Sequence, residues 1–190
     1  KKILGQIESC GFVPKLLNLK NPPRGVSAKA SHQGIVAGLL PEKLMVPYKE
    51  FIRGLEVDND TSLLILGEVQ DPHNVGAVIR SAAAFGLSGV LIPPHNQAPV
   101  TGTVIKVSAG MAFRIPLVAI SNVNSVARDL QERGFWTYGL EGKGDVTTVE
   151  LCDALISIPI HPRCESLNAA AATAVVLASW SAQHPKALTN

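Results

Sequence analysis

The sequence predicts an α/β fold built on a parallel sheet with helices on both faces. Leu63-Leu-Ile-Leu66 is an unbroken apolar run, as a strand buried on both faces of a parallel sheet requires. From that run onward, strand-like and helix-like segments alternate almost to the C-terminus. With 46% hydrophobic residues in 190, the chain has enough apolar surface for one medium domain and a small appendage.

Residues 1 to about 38 set short apolar runs, Phe12 to Leu19 and Gly34 to Gly38, around the loop Asn21-Pro-Pro-Arg-Gly25. That is too little for an independent core, so 1–38 is expected to be a partial N-terminal domain. Residues 39–60, interrupted by Pro41 and Pro47 and closed by Asp58-Asn-Asp60, read as a linker with one short helix. Residues 61–190 then carry the main domain. The strand Leu63 to Leu66 leads to a helix from Val75 to Phe85, with Asn74 as cap and Gly86 as the left-handed stop. A strand from Gly89 to Ile92 ends at Pro93-Pro94. A helix near Thr103 to Ala112, a strand at Ile115 to Ile120, a helix at Val123 to Arg133 and a strand at Phe135 to Leu140 repeat the theme. The last unit is a strand, Ala154 to Ile158, and an Ala-rich helix from about Leu167 to Ala182.

Composition narrows the function classes. Cys10, Cys152 and Cys164 are odd in number and contain no CxxC pair, which argues against a disulfide framework and a zinc site. The five histidines show no metal-ligand spacing, so no metal is expected. No apolar run approaches the roughly 18 residues of a membrane helix. A soluble cytoplasmic protein follows as the expectation. Net charge is +2, so any nucleic-acid contact must come from a local basic surface. The start, Lys1-Lys-Ile-Leu4, has neither a signal-peptide pattern nor an initiator Met, and reads as a fragment or processed product.

Sites in open α/β sheets lie at the carboxyl ends of strands. The loop Gly67-Glu-Val-Gln-Asp-Pro-His-Asn-Val-Gly-Ala-Val-Ile-Arg80 lacks GxGxxG and is a poor dinucleotide loop. Arg80 is the single charge in an otherwise apolar helix. It is either a surface arginine on a one-sided helix, or a guanidinium that needs a structural partner or a function. After the last strand, Ser166 or Asn168 is placed to cap the Ala-rich helix, and a capped helix start presents amide donors to a ligand.

The string Asp71-Pro-His-Asn-Val-Gly-Ala-Val-Ile-Arg-Ser-Ala82 resembles the first motif of the SpoU family of SPOUT-class RNA methyltransferases. Cys152-Asp-Ala-Leu-Ile-Ser-Ile-Pro-Ile160 with Glu165-Ser-Leu-Asn-Ala-Ala170 resembles that family's third motif. The likeness runs from about Ser62 to Gln183, and His32 to Ala37 is similar to the end of the small α/β RNA-binding domain that often precedes it. The resemblance implies a C-terminal deep trefoil knot, a homodimer, S-adenosylmethionine as cofactor, and methylation of a ribose 2′-hydroxyl in a structured RNA, tRNA or rRNA. By motif, Asn74, Arg80, Ser166 and Asn168 would line the catalytic centre. Ile158, Pro159 and Leu167 would hold the cofactor.

The family's middle motif, a Gly-x-Glu-Gly-x-Gly loop, is matched by Gly139-Leu-Glu-Gly-Lys-Gly144, which makes Gly139, Glu141 and Gly142 cofactor candidates. The segment before it, Leu130 to Gly139, resembles instead the helix and strand one step earlier in the family. On that reading the chain is roughly two dozen residues short between the outer motifs. Either a strand has been lost or residues are missing between Glu150 and Leu151; the second is favoured, because losing an interior strand exposes a sheet edge. Two alternatives to the ribose methyltransferase are a catalytically silent RNA-binding relative and a knotted methyltransferase acting on a base nitrogen.

Overall fold

A computed structural model describes residues 2–15, 35–40, 43–140 and 150–189. The chain divides into two units, Lys1–Leu39 and Leu40–Asn190. In the first, the described residues include helix α1 (Lys2–Ser9), and Phe12 and Val13 beyond it are exposed.

The second unit is built on a four-stranded sheet of β1 (Met45–Pro47), β2 (Leu63–Ile65), β3 (Gly89–Ile92) and β4 (Leu117–Ala119). Its order is β1-β4-β3-β2, and every pairing is parallel. Parallel pairing needs crossovers, and α3 (Pro72–Ala84) joins β2 to β3. The helix α4 (Gly102–Val107) and a 3₁₀ turn, Met111–Phe113, join β3 to β4.

Because strand side chains alternate, β3 sends Val90 and Ile92 to one face and Leu91 to the other, and all are buried. On the first face they meet Val75, Val78, Ile79 and Ala82 of α3, Val104 of α4 and Leu177 of α6 (Ala169–Gln183). On the second, Leu91 and Val118 meet Ile52 of α2 (Tyr48–Gly54) and Val126 and Leu130 of α5 (Val123–Glu132). Helices thus cover both faces. Tyr48 ties α2 to α5 by donating to Asp129 Oδ2 at 2.6 Å, and Arg133 pairs with the same carboxylate at 2.8 Å.

The structure departs from the sequence reading in several places. Residues 39–60 do not merely link: β1 pairs with β4, and Ile52 enters the core. The helix expected to start after Asn74 begins at Pro72, capped by Asp71 Oδ1, which accepts from the His73 N–H at 2.9 Å. Proline fits that first turn because its missing N–H would find no intrahelical partner. The helix expected to reach Ala112 stops at Val107, where the Ser108 hydroxyl bonds Ile105 O and Ala109 and Gly110 turn left-handed.

Gly86 does end α3 as expected, with φ +75°. A Cβ there would lie 2.0 Å from the Ala187 carbonyl oxygen in the 3₁₀ turn Pro185–Leu188. Gly86→Ala is therefore expected to lose about 1–2 kcal/mol from the left-handed backbone alone, before the clash is counted. Thermal denaturation should show a Tm several degrees lower. An unchanged Tm would show that the terminal turn is not docked there.

The strands β5 (Tyr138–Leu140) and β6 (Ala154–Ile156) form a separate parallel pair. Asp153 locks it: its carboxylate accepts from the Thr137 N–H and hydroxyl, each at 2.7 Å, and these bonds hold it below the usual carboxylate range. Gln131 of α5 donates to Leu151 O at 2.8 Å and anchors the pair to the helix. Among the described residues β2 is an edge strand of the four-stranded sheet, and β5–β6 form a pair apart from it.

Candidate active site

The loops at the carboxyl ends of β2 and β3 are laced together. Val69 N–H donates to Gln97 Oε1 at 3.0 Å, Ala98 N–H donates to Val69 O at 3.0 Å, and Asn96 Nδ2 donates to Glu68 Oε1 at 3.4 Å. Glu68 and Asn96 both adopt positive φ to make this contact. From the first of these loops the chain enters α3 and presents Asn74.

Asn168, 94 residues further on, reaches the same place. Its Oδ1 caps α6 by accepting from the amides of Ala170 at 2.9 Å and Ala171 at 3.4 Å. Of the two cap candidates, Asn168 takes the role. With its oxygen committed to the helix amides, its Nδ2 must face outward, and it donates to Asn74 Oδ1 at 2.9 Å. That bond fixes Asn74 in turn, leaving the Asn74 Nδ2 hydrogens directed away from Asn168 with no described acceptor. Two side-chain amides thus form a relay from a helix start to a pair of donors with no acceptor among the described residues.

Arg80 lies on the exposed side of α3, two turns beyond His73, and makes no hydrogen bond or ion pair with a described residue. Its buried neighbours Val78 and Ile79 hold the helix to the core, so the guanidinium is solvated above a rigid base. Of the other expected site residues, Ser166 is exposed, and its carbonyl accepts from the Cys164 thiol at 3.3 Å. Ile158 is half-buried, Pro159 exposed and Leu167 38% exposed. The backbone from Pro159 to Ala169 is therefore open to a ligand on a segment anchored by the Asn168 cap.

Gly139 sits within β5, where a Cβ would fall 2.8 Å from Leu155 Cδ2 and 3.0 Å from Cys152 Sγ. Its missing side chain lets β5 approach Cys152 and β6, so it reaches a ligand only through its backbone. Glu141 and Gly142 lie outside the described residues, as do residues 32–34 of the N-terminal resemblance. Burial pushes the Cys152 thiol up, which makes it a poor nucleophile. Among the described residues no group of three or more His, Cys, Asp or Glu could hold a metal, and no helix is long and apolar enough to cross a membrane. One residue of this region was not anticipated from the sequence. Gln97 sits in the aperiodic loop Pro93 to Pro99, where nothing marks it out.

A parallel α/β sheet with polar side chains from two distant segments meeting above its carboxyl edge is the layout of an α/β enzyme. The model of the SpoU rRNA Methylase family matches residues 61–148. A protein of Xanthomonas campestris pathovar campestris named 23S rRNA (guanosine-2′-O-)-methyltransferase RlmB is 38% identical over 179 aligned positions, covering 80% of this chain and 71% of that one. The chain belongs to the SpoU methylase family.

Among solved structures, the S-adenosylmethionine-bound rRNA methyltransferase of Sinorhizobium meliloti superposes with a TM-score of 0.61 at 22% identity, over 74% of this chain and 61% of its own. The SpoU methyltransferase AviRb of Streptomyces viridochromogenes, in complex with the same cofactor, gives 0.59 at 24% identity, over 68% and 60%. The chain thus spans about three-fifths of each of these structures and shares their fold.

Proposed function

We propose that the chain transfers a methyl group from S-adenosylmethionine to a ribose 2′-hydroxyl of a structured rRNA or tRNA. The observation that carries this reading is the Asn168–Asn74 hydrogen bond, which joins the last helix cap to the first motif on the helix that bears Arg80. The activity named for the Xanthomonas relative supports it. The residues present fit the cofactor in part. The open backbone from Pro159 to Ala169, with Ile158 and Leu167 half-exposed, suits an adenosyl group, whereas the side-chain face of Gly139 is filled by Leu155 and Cys152.

When bound, the cofactor supplies an electrophilic methyl on sulfonium. The protein's part is to hold a weak oxygen nucleophile close and in line with it. A guanidinium keeps its proton too tightly to act as a simple base. Arg80 therefore grips the neighbouring phosphate and stabilises charge developing on the 2′-oxygen, with the proton leaving to phosphate or water. Asn74 offers its Nδ2 hydrogens to the ribose, and Ser166 bonds the ribose or steadies its own loop. No step needs a metal.

The test is transfer of tritium from labelled S-adenosylmethionine to 23S rRNA transcribed in vitro, followed by alkaline hydrolysis. Label retained in alkali-resistant dinucleotides is expected. Label on a base would sink the ribose assignment, and RNA binding without any transfer would make the chain a silent relative.

The same reading makes the working form a homodimer. Helix α6 exposes Ala171, Val175, Ala178 and Ala182 along one stripe, with Val175 50% exposed, and this apolar face suits a second copy. Val175→Glu is expected to turn a dimer into a monomer at micromolar concentration, read by sedimentation. A wild-type chain that sediments only as a monomer would remove the dimer. The reading also includes a trefoil knot, and residues 1–38 as part of a small RNA-binding domain. The reading also makes the cytoplasm the site of action, as the odd number and wide spacing of the three cysteines lead one to expect.

A further inference from the structure

We infer that the turn His161-Pro-Arg-Cys164 grips a phosphate of the RNA through the side chains of His161 and Arg163, an inference that rests on the RNA-directed reading above. The turn lies between β6 and the Asn168 cap, and neither side chain takes part in the methyl transfer proposed above. It is closed by the Cys164 N–H, which donates to His161 O at 2.8 Å, with Pro162 at the second position, where its fixed φ suits the turn. Every residue from Pro159 to Ala169 is exposed, so the turn stands on the surface and is open to a macromolecule.

His161 is aimed by its own turn. Its Nδ1 accepts from the Arg163 N–H at 3.2 Å, the bond that an aspartate or asparagine makes when it closes a turn onto the backbone two residues ahead. The hydrogen bond made by one ring nitrogen decides what the other carries, so Nε2 holds a proton and is a donor. No described residue accepts from that nitrogen, and the Arg163 guanidinium makes no hydrogen bond or ion pair with a described residue. Two donors on one closed turn, one of them permanently charged, fit a group with several anionic oxygens. Because the turn already holds the imidazole, little side-chain freedom is lost when such a group binds. Glu165, exposed two residues on, offsets the charge of Arg163, so the grip depends on directed hydrogen bonds more than on net charge.

Position makes that group an RNA phosphate. Arg163 stands five residues before Asn168, at most about 18 Å of extended chain, and Asn168 bonds Asn74 at the proposed ribose site. A strand that lays its 2′-hydroxyl beside Asn74 carries a phosphate on each side of that ribose and more in both directions. Phosphate contacts fix register without reading sequence, so His161 and Arg163 set how the strand is seated in the site. The carboxylate of S-adenosylmethionine is the other anion of the proposed reaction, and it differs in a way that binding reads: a grip on it strengthens cofactor binding in the absence of RNA.

Three substitutions test this. His161→Asp keeps the acceptor that closes the turn but puts a negative oxygen in place of the donor, His161→Asn keeps the acceptor and supplies an N–H, and Arg163→Gln removes the charge. Affinity for fluorescein-labelled, in vitro-transcribed 23S rRNA is expected to fall about tenfold in His161→Asp and in Arg163→Gln, as for loss of a hydrogen bond to a charged group. His161→Asn should bind about threefold or more tighter than His161→Asp, because it still donates. The slope of log affinity against log salt should become shallower by about one in Arg163→Gln. Affinity for S-adenosylmethionine, measured by calorimetry, and Tm should not change, since both positions are exposed. A merely structural turn predicts the opposite for His161→Asp, which closes it equally well and would bind RNA as the wild type does. Wild-type RNA affinity in either His161→Asp or Arg163→Gln overturns the proposal, as does a His161→Asn variant no better than His161→Asp. A matching loss of cofactor affinity also overturns it, by making the anion the cofactor's carboxylate. If His161→Asp fails to fold, Arg163→Gln decides. Binding is read without catalysis: wild-type protein that binds RNA through the turn yet transfers no methyl overturns only the activity. Wild-type protein that binds no RNA overturns both.

Discussion

Arg80→Ala is expected to lower methyl transfer to RNA by about 10²–10³-fold, the range seen when one charge-stabilising group is removed from a transition state. Stability should barely move. The sequence left open a buried arginine with a structural partner, whose loss would cost about 1–3 kcal/mol. The structure places the side chain on the exposed side of α3 with no described partner, so that cost is absent and the change belongs with surface substitutions worth within about 0.5 kcal/mol. Alanine also suits a helix. Two outcomes then remain: a large fall in turnover with a normal Tm and normal cofactor affinity, or no effect at all. Arg80→Lys divides the first further. Lysine keeps the charge but not the planar fork that holds phosphate and alkoxide together, so little activity should return. Near-normal turnover of folded, cofactor-bound Arg80→Ala would take this residue out of the site.

How far the fold could be read from the sequence depended on how local its causes were. The bounds of β3 were legible at both ends because Gly89 and Pro93 punctuate a fully buried run. Gly86 was legible because a left-handed stop has one favoured residue. β1 was not, since three residues ending in Pro47 carry no period, and their strand character comes from pairing with β4 some 70 residues away. The cap of α3 was misplaced because Asn74 and Asp71 are both good caps, and only the proline at the first turn decides between them. In the site, spacing alone could not bring Asn74 and Asn168 together, whereas motif resemblance named both. Gln97 escaped both methods: its role depends on a bond to Val69 across two loops.

Asn168→Asp is expected to cut methyl transfer on the order of 10²-fold while leaving the fold as stable as before. Asparagine at this position does two jobs through two atoms. The oxygen caps α6, and aspartate does that equally well, with a negative charge at a helix start as a small added benefit. The nitrogen donates to Asn74 Oδ1 at 2.9 Å, and aspartate puts an acceptor there instead. Two oxygens cannot stay at that distance without a proton between them, so Asn74 must turn its amide and spend its own donors on the new carboxylate. On the proposed function those donors serve the ribose. Asn168→Ala differs in kind: it gives up the cap as well, at about 0.5–2 kcal/mol, and should lower both Tm and turnover. Because Asn168→Asp acts through Asn74, combining it with Asn74→Ala should cost no more activity than Asn74→Ala alone. Full turnover in Asn168→Asp, or losses that simply add in the double variant, would show that the two amides are bonded neighbours and not a relay to the substrate.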